Sequence, residues 1–126
     1  MRPDLQLIKQ AQALLDEGMS QRESYNLLGA RQTLNRLVAY CPDYAEGYNQ
    51  RAFIRFLREN YDAALEDLDK TLEMRPDHFA ALSGKGLVFF RQGRTELSHK
   101  ALREAVRLHP WLKERHMVVK QPSEDL

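Results

Sequence analysis

Three prolines, Pro42, Pro76 and Pro110, stand at equal intervals, and around each the chain repeats itself: YCPDYAEGYNQRA at 40–52, MRPDHFAALSGKG at 74–86 and LHPWLKERHM at 108–117. Proline has no backbone N–H and disfavours helical geometry in the residue before it, so Cys41, Arg75 and His109 are expected to end helices. Asp43 and Asp77 follow the first two prolines and suit a turn or the cap of the next helix. Midway through each interval comes a second break, at Tyr25–Asn26, Glu59–Asn60 and Gln92–Gly93. Between breaks the apolar residues recur at three and four, as Ala64, Leu65, Leu68 and Leu72 do in YDAALEDLDKTLEM, which is the period of an amphipathic helix. No run alternates at period two, so strands are not expected. The chain therefore reads as two helices in every proline-to-proline interval.

The repetition extends to side-chain size. Gly18, Ala52 and Gly86 recur at the interval of the prolines, and so do Ala30, Ala64 and Ser98, each of the latter followed one helical turn on by Leu34, Leu68 and Leu102. Helices of ordinary girth pack about 8–10 Å apart, and a closer crossing needs a position with little or no side chain. Units at 11–44, 45–78 and 79–112 with these small residues resemble the tetratricopeptide repeat, a helix-turn-helix unit of about 34 residues. The resemblance covers residues 11–112, with the middle unit matching best. It departs where the family usually places Trp, here Leu14, Tyr48 and Leu82, and where it places a leucine, here Glu17, Arg51 and Lys85. The aromatic expected just past the small position survives only as Phe89, with Gln21 and Arg55 in the other units.

The resemblance implies an all-α fold, a right-handed superhelical stack of three helical hairpins. Such a stack cannot bury its end units unaided, so residues 4–10 are expected to lengthen the first helix and 111–119 to form a short capping helix. In that cap Trp111, Leu112 and Met117 or Val118 would cover the last hairpin. A single domain over 1–120 with a disordered tail at 121–126 is the expected organisation, since 126 residues suffice for one modest core and not for two.

Composition excludes several classes of function. With 43% hydrophobic and 29% charged residues and a formal net charge of +1, the chain is neither disordered nor a strongly basic nucleic-acid binder. Residues 91–120 do carry eight basic side chains against three acidic ones, but without interleaved stacking aromatics they read as a solvated face. Neither a secretory leader nor a membrane span is evident, so a soluble protein is expected, in the cytoplasm in preference to the periplasm. A removed leader would leave the same sequence.

Nothing points to catalysis, a metal or another cofactor. His78, His99, His109 and His116 lack the i, i+4 pairing of a zinc helix, and Cys41, the one cysteine, has no partner for a disulfide. GKG at 84–86 lacks the strand and spacing of a phosphate loop. Glu66, Asp67, Asp69 and Glu73 read as the water-facing side of their helix, with Lys70 pairing to Glu66.

What remains is shape. In the family the first helices of successive repeats line a concave groove that receives a peptide or helix of another protein. Carried onto this chain, the groove positions are Leu15, Met19 and Arg22 in the first unit, Asn49, Gln50, Phe53, Phe56 and Leu57 in the second, and Ser83, Leu87, Phe90 and Arg91 in the third. Phe53 and Leu57 lie roughly 100° or more around the helix from the core stripe of Tyr48, Ala52 and Phe56, and so need another contact. A partner peptide is the first expectation, with Asn49 and Gln50 bonding its backbone. Self-association as a homodimer or structural subunit is the second. A subclass of the family grips the C-terminal carboxylate of chaperones with Lys, Arg and Asn; here those places hold Leu15, Met19, Gln50, Ala80 and Gly84, which disfavours that ligand.

Overall fold

The computed structural model of the chain describes residues 3–118. These hold six α-helices and one 3-10 helix, and no strand. In chain order they are α1 (Pro3–Glu23), α2 (Leu27–Tyr40), α3 (Ala45–Leu57), α4 (Tyr61–Met74), α5 (Phe79–Arg91), α6 (Thr95–Leu108) and the 3-10 helix Lys113–Met117. They make three hairpins in succession, so the expected all-α helical repeat is what the chain forms. The chain divides into two compact units, Met1–Pro76 and Asp77–Leu126. In the first, α1 packs on α2, α3 on α4, and α3 also on α2 and α1. In the second, α5 packs on α6, and the 3-10 helix on α6.

The prolines act as their chemistry requires. Cys41, Arg75 and His109 are the C-caps of α2, α4 and α6. Tyr44 N–H donates to Cys41 O at 3.1 Å and Leu112 N–H to His109 O at 3.1 Å, closing turns around Pro42-Asp43 and Pro110-Trp111. Asp43 and Asp77 lie in the turns after Pro42 and Pro76 and not at the N-cap positions. The N-caps fall one residue later, at Tyr44 and His78, where His78 Nδ1 accepts from Ala81 N–H at 3.0 Å.

The breaks inside the hairpins repeat to the atom. Tyr25, Glu59 and Gly93, at equivalent places in the three hairpins, adopt left-handed backbone with φ of 61°, 62° and 74°. After each, the next amide reaches back into the helix just ended: Asn26 to Gln21 O, Asn60 to Arg55 O and Arg94 to Phe89 O, each at 2.8 Å. This is the Schellman closure, which satisfies carbonyls that a helix end leaves open.

The small residues sit at tight crossings. A Cβ built on Gly18 would lie 2.9 Å from Leu34 Cγ, and one on Gly86 2.5 Å from Leu102 Cγ, the equivalent leucine of its own hairpin in each case. Ala52 and Leu68, the middle pair, are both buried. In the first unit the core gathers Ala11, Leu15, Ala30, Leu34, Leu37 and Ile54. In the second, Ala81, Val88, Leu102 and Ala105 are buried, with Ser98 donating its hydroxyl to Gly86 O at 2.7 Å.

The C-terminal cap differs from expectation. The short terminal helix is the 3-10 helix Lys113–Met117, and Trp111, expected to cover the last hairpin, is instead 80% exposed, because the Pro110 turn sets it on the outside of the chain reversal. Leu112, Met117 and Val118 are half-buried. The tail at 121–126 lies outside the described residues.

Candidate functional site

The groove positions of the first unit come from α1 and α3. Phe53 and Leu57, on the outer stripe of α3, are exposed, Phe53 at 42%, while Ile54 between them is 0% exposed. The guanidinium of Arg22 lies over the Phe53 ring, 4.8 Å from its centre, and donates from Nη1 to Gln50 Oε1 at 2.8 Å. Gln50 in turn donates to Glu46 Oε1 at 2.9 Å, and Asn49 Nδ2 donates to the same oxygen at 3.2 Å. An aromatic ring is thus framed by a chain of polar contacts that orders Arg22 across it. Met19 is half-buried against the core, and Phe56 is half-buried with its ring 6.0 Å from that of Tyr61 at 50°.

Leu15 is a correction. It is 6% exposed and belongs to the core of the first unit, where it packs with Ala11, Leu34 and Leu37 rather than facing a groove. Residues one turn along α1 share a face, so Leu15 follows Ala11 inward.

On α5, within the second unit, Phe90 is 56% exposed, Arg91 is exposed and Leu87 is half-buried. Ser83 is a second correction: it is buried, and its hydroxyl has no hydrogen-bond partner among the described residues. Ser83 lies one turn before buried Gly86 and shares its inward face of α5.

One cluster escapes sequence reasoning. Asp67 is not water-facing but buried on α4. Arg51 grips it through two bonds, Nε to Oδ2 at 2.9 Å and Nη2 to Oδ1 at 2.8 Å, and Arg55 Nη1 reaches Oδ2 at 2.9 Å. Arg51 also donates to Asn35 Oδ1 on α2 at 3.2 Å. The signal was present: Asp67 falls one turn after Ala64 and beside Leu68 on the buried face, and Arg51 and Arg55 lie one turn apart on α3, where the family more often has apolar residues. Lys70, expected to pair with Glu66, instead approaches Glu73 at 3.8 Å.

The described residues contain no group of three or more His, Cys, Asp or Glu that could hold a metal ion. The Cys41 thiol is pushed up from its ordinary range, first by burial and then by Asp43, whose Oδ1 it approaches at 3.7 Å. That environment lowers the share of reactive thiolate near neutral pH. No helix among the described residues is long and apolar enough to cross a membrane.

Comparison with known proteins places these features. A tetratricopeptide repeat profile matches residues 55–110. A TPR repeat-containing protein of Rhizobium etli is 35% identical over 77 residues, which is 61% of this chain and 38% of that protein. Human tetratricopeptide repeat protein 36 is 29% identical over 124 residues, covering 95% of this chain and 65% of that one. This chain therefore spans only about two fifths to two thirds of the length of these curated relatives. Among solved structures, the first TPR domain of Spaghetti (RPAP3), bound to an HSP90 peptide, superposes with a TM-score of 0.82 at 17% identity, covering 86% of each chain. The period, the left-handed turns, the tight glycine crossings and these likenesses agree: the chain has the fold of tetratricopeptide repeat domains, and its residues 55–110 match the profile of that family.

Proposed function

We propose that this chain is a protein-interaction module, without catalysis of its own, that takes a peptide segment or helix of a partner protein on its first-helix faces. The observation that carries this reading is Phe53: an aromatic ring exposed beside a fully buried Ile54, with one face covered by an ordered guanidinium and the rest open. An aromatic anchored by neighbours but not enclosed suits burial by a ligand, since large rigid rings dominate binding energy where partners meet. Leu57 and the half-buried Met19 and Phe56 extend the apolar area around it. Gln50 is held on both sides by Arg22 and Glu46, so the polar contact to a peptide backbone falls to the side-chain carbonyl of Asn49. On α5, Leu87, Phe90 and Arg91 offer a second exposed aromatic with a cation beside it.

Peptide binding by the structurally similar Spaghetti domain supports the class of ligand and not its identity. The places that would clamp a chaperone's terminal carboxylate hold Leu15, Met19, Gln50, Ala80 and Gly84, none of them cationic. The favoured ligand is accordingly an internal segment with an aromatic or aliphatic anchor.

Selection from a displayed peptide library, followed by titration against the parent and Phe53→Asp, tests this. Enriched apolar peptides that bind the parent and lose affinity for Phe53→Asp, with the melting curve little changed, are expected. Equal affinity for both proteins rejects the site. The competing occupant, a second copy of the chain, is decided by light scattering: a mass that rises with concentration and falls back in Phe53→Asp favours self-association.

A further inference from the structure

A cavity of about 270 Å³ opens in the first unit and is lined by Arg31, Asn35, Arg55, Arg58 and Asn60, with no aromatic residue among them. Three of these five carry a positive charge and none a negative one. Arg31 and Asn35 are one turn apart on α2, so both point the same way. Arg55 and Arg58 come from the end of α3, and Asn60 is the N-cap of α4, its side chain making no cap bond.

The carboxylate within reach is already taken. Asp67 accepts from Arg51 and Arg55, leaving Arg31 and Arg58 with no carboxylate or other hydrogen-bond partner among the described residues. Glu59 and Asp62 neighbour the cavity in sequence but do not line it. Arg31 Nε is shut off from solvent and donates to nothing, a state that folded proteins tolerate rarely because the buried donor has lost its water without gaining an acceptor. Like charges that converge on one cavity also repel, and an anion placed between the guanidinium groups relieves that repulsion.

We infer that this cavity is a binding site for a tetrahedral oxyanion, a phosphate or phosphomonoester. The planar fork of arginine matches two oxygens of such a group, and Arg31 with Arg58 would supply two forks from different helices. Asn35 already gives its carbonyl oxygen to Arg51, which turns its amide N–H groups toward donation, and Asn60 has its amide unused. The two arginines and the two amide NH₂ groups thus offer donors, which is what an ionised phosphate requires.

Calorimetric titration of the full chain at fixed ionic strength, with inorganic phosphate and separately with a short phosphoserine peptide, tests the assignment. One saturable site is expected, weakened about tenfold or more by Arg31→Gln and by Arg58→Gln, each replacing a charge-assisted pair with a neutral one. Arg36→Gln, on the exposed side of α2, should bind as the parent does. Affinity much higher for the phosphopeptide assigns the anion to a modified protein; equal affinity assigns it to a free metabolite. Arg58 is exposed at a helix end, so its variant keeps the test open should Arg31→Gln fold poorly. Phe53→Asp should leave phosphate binding intact, which separates this site from the peptide face. No saturable heat with either probe up to about 10 mM, a concentration that would reveal even millimolar affinity, or an equal loss in Arg36→Gln, overturns the inference.

Discussion

Tyr25 and Glu59 show how much backbone strain a repeated fold imposes on single residues. Both hold the left-handed conformation that Gly93 holds in the last hairpin, and a side chain in that region is disfavoured by about 1–2 kcal/mol. Glycine there gives back some of the gain through its freer unfolded chain. Glu59→Gly is expected to stabilise the protein by up to about 1 kcal/mol in urea denaturation, whereas Gly93→Glu should destabilise it by a similar amount. Cys41 supplies a second test at this scale. Its thiol is raised by burial and by Asp43, so the reactive thiolate is scarcer at neutral pH than in a free cysteine. Iodoacetamide should alkylate it slowly near pH 7, faster as pH rises, and faster at fixed pH in Asp43→Asn, which removes the neighbouring negative charge.

Between elements, the decisive contacts are a glycine against a leucine and a carboxylate between two arginines. A Cβ on Gly86 would fall within 2.5 Å of Leu102 Cγ, so Gly86→Leu must push α5 from α6 and should cost on the order of 1–3 kcal/mol or more. Shortening the opposing side chain ought to restore part of this: Gly86→Ala with Leu102→Ala should lose less than the two single changes summed, as coupled sites do. Asp67→Ala strands Arg51 and Arg55 at the seam between α3 and α4 with no anion, and about 1.5–3 kcal/mol should disappear from chemical denaturation. These two contacts also mark what sequence reading could reach. The glycine crossing was legible because steric demand at a fixed period leaves a small residue at the same place in each unit. Helix ends were legible for the same reason, through proline. Asp67 was only partly so: its spacing from Ala64 and Leu68 sets it on the buried face, but that Arg51 and Arg55 meet it there depends on which side chains face it across another helix, which no spacing along one helix reveals. Leu15 was misplaced by carrying over a family position without asking whether Ala11 one turn earlier already fixed that face inward, and Ser83 by the same route.

At the scale of the whole molecule, the question is whether surface that binds can be separated from surface that folds, and α3 holds the test in two adjacent residues. Ile54 is fully buried in the first unit's core, and Phe53, roughly 100° around the helix, is open to water with Arg22 over its ring. Ile54→Ala removes buried methyl groups and leaves a cavity, for an expected loss of about 2–5 kcal/mol, a large share of a small protein's stability. Phe53→Asp removes an exposed ring and one cation–π contact, for at most about 1 kcal/mol, and places its new carboxylate near the Arg22 guanidinium. Affinity for a partner peptide should respond in the opposite order once each variant is measured at a temperature where it is folded: lost in Phe53→Asp, retained in Ile54→Ala. If instead both variants unfold alike, Phe53 is part of the core and the exposed aromatic face has no separate role. If neither alters binding, the ligand sits elsewhere on the repeats, and the exposed ring of Phe90 on α5 becomes the position to change next.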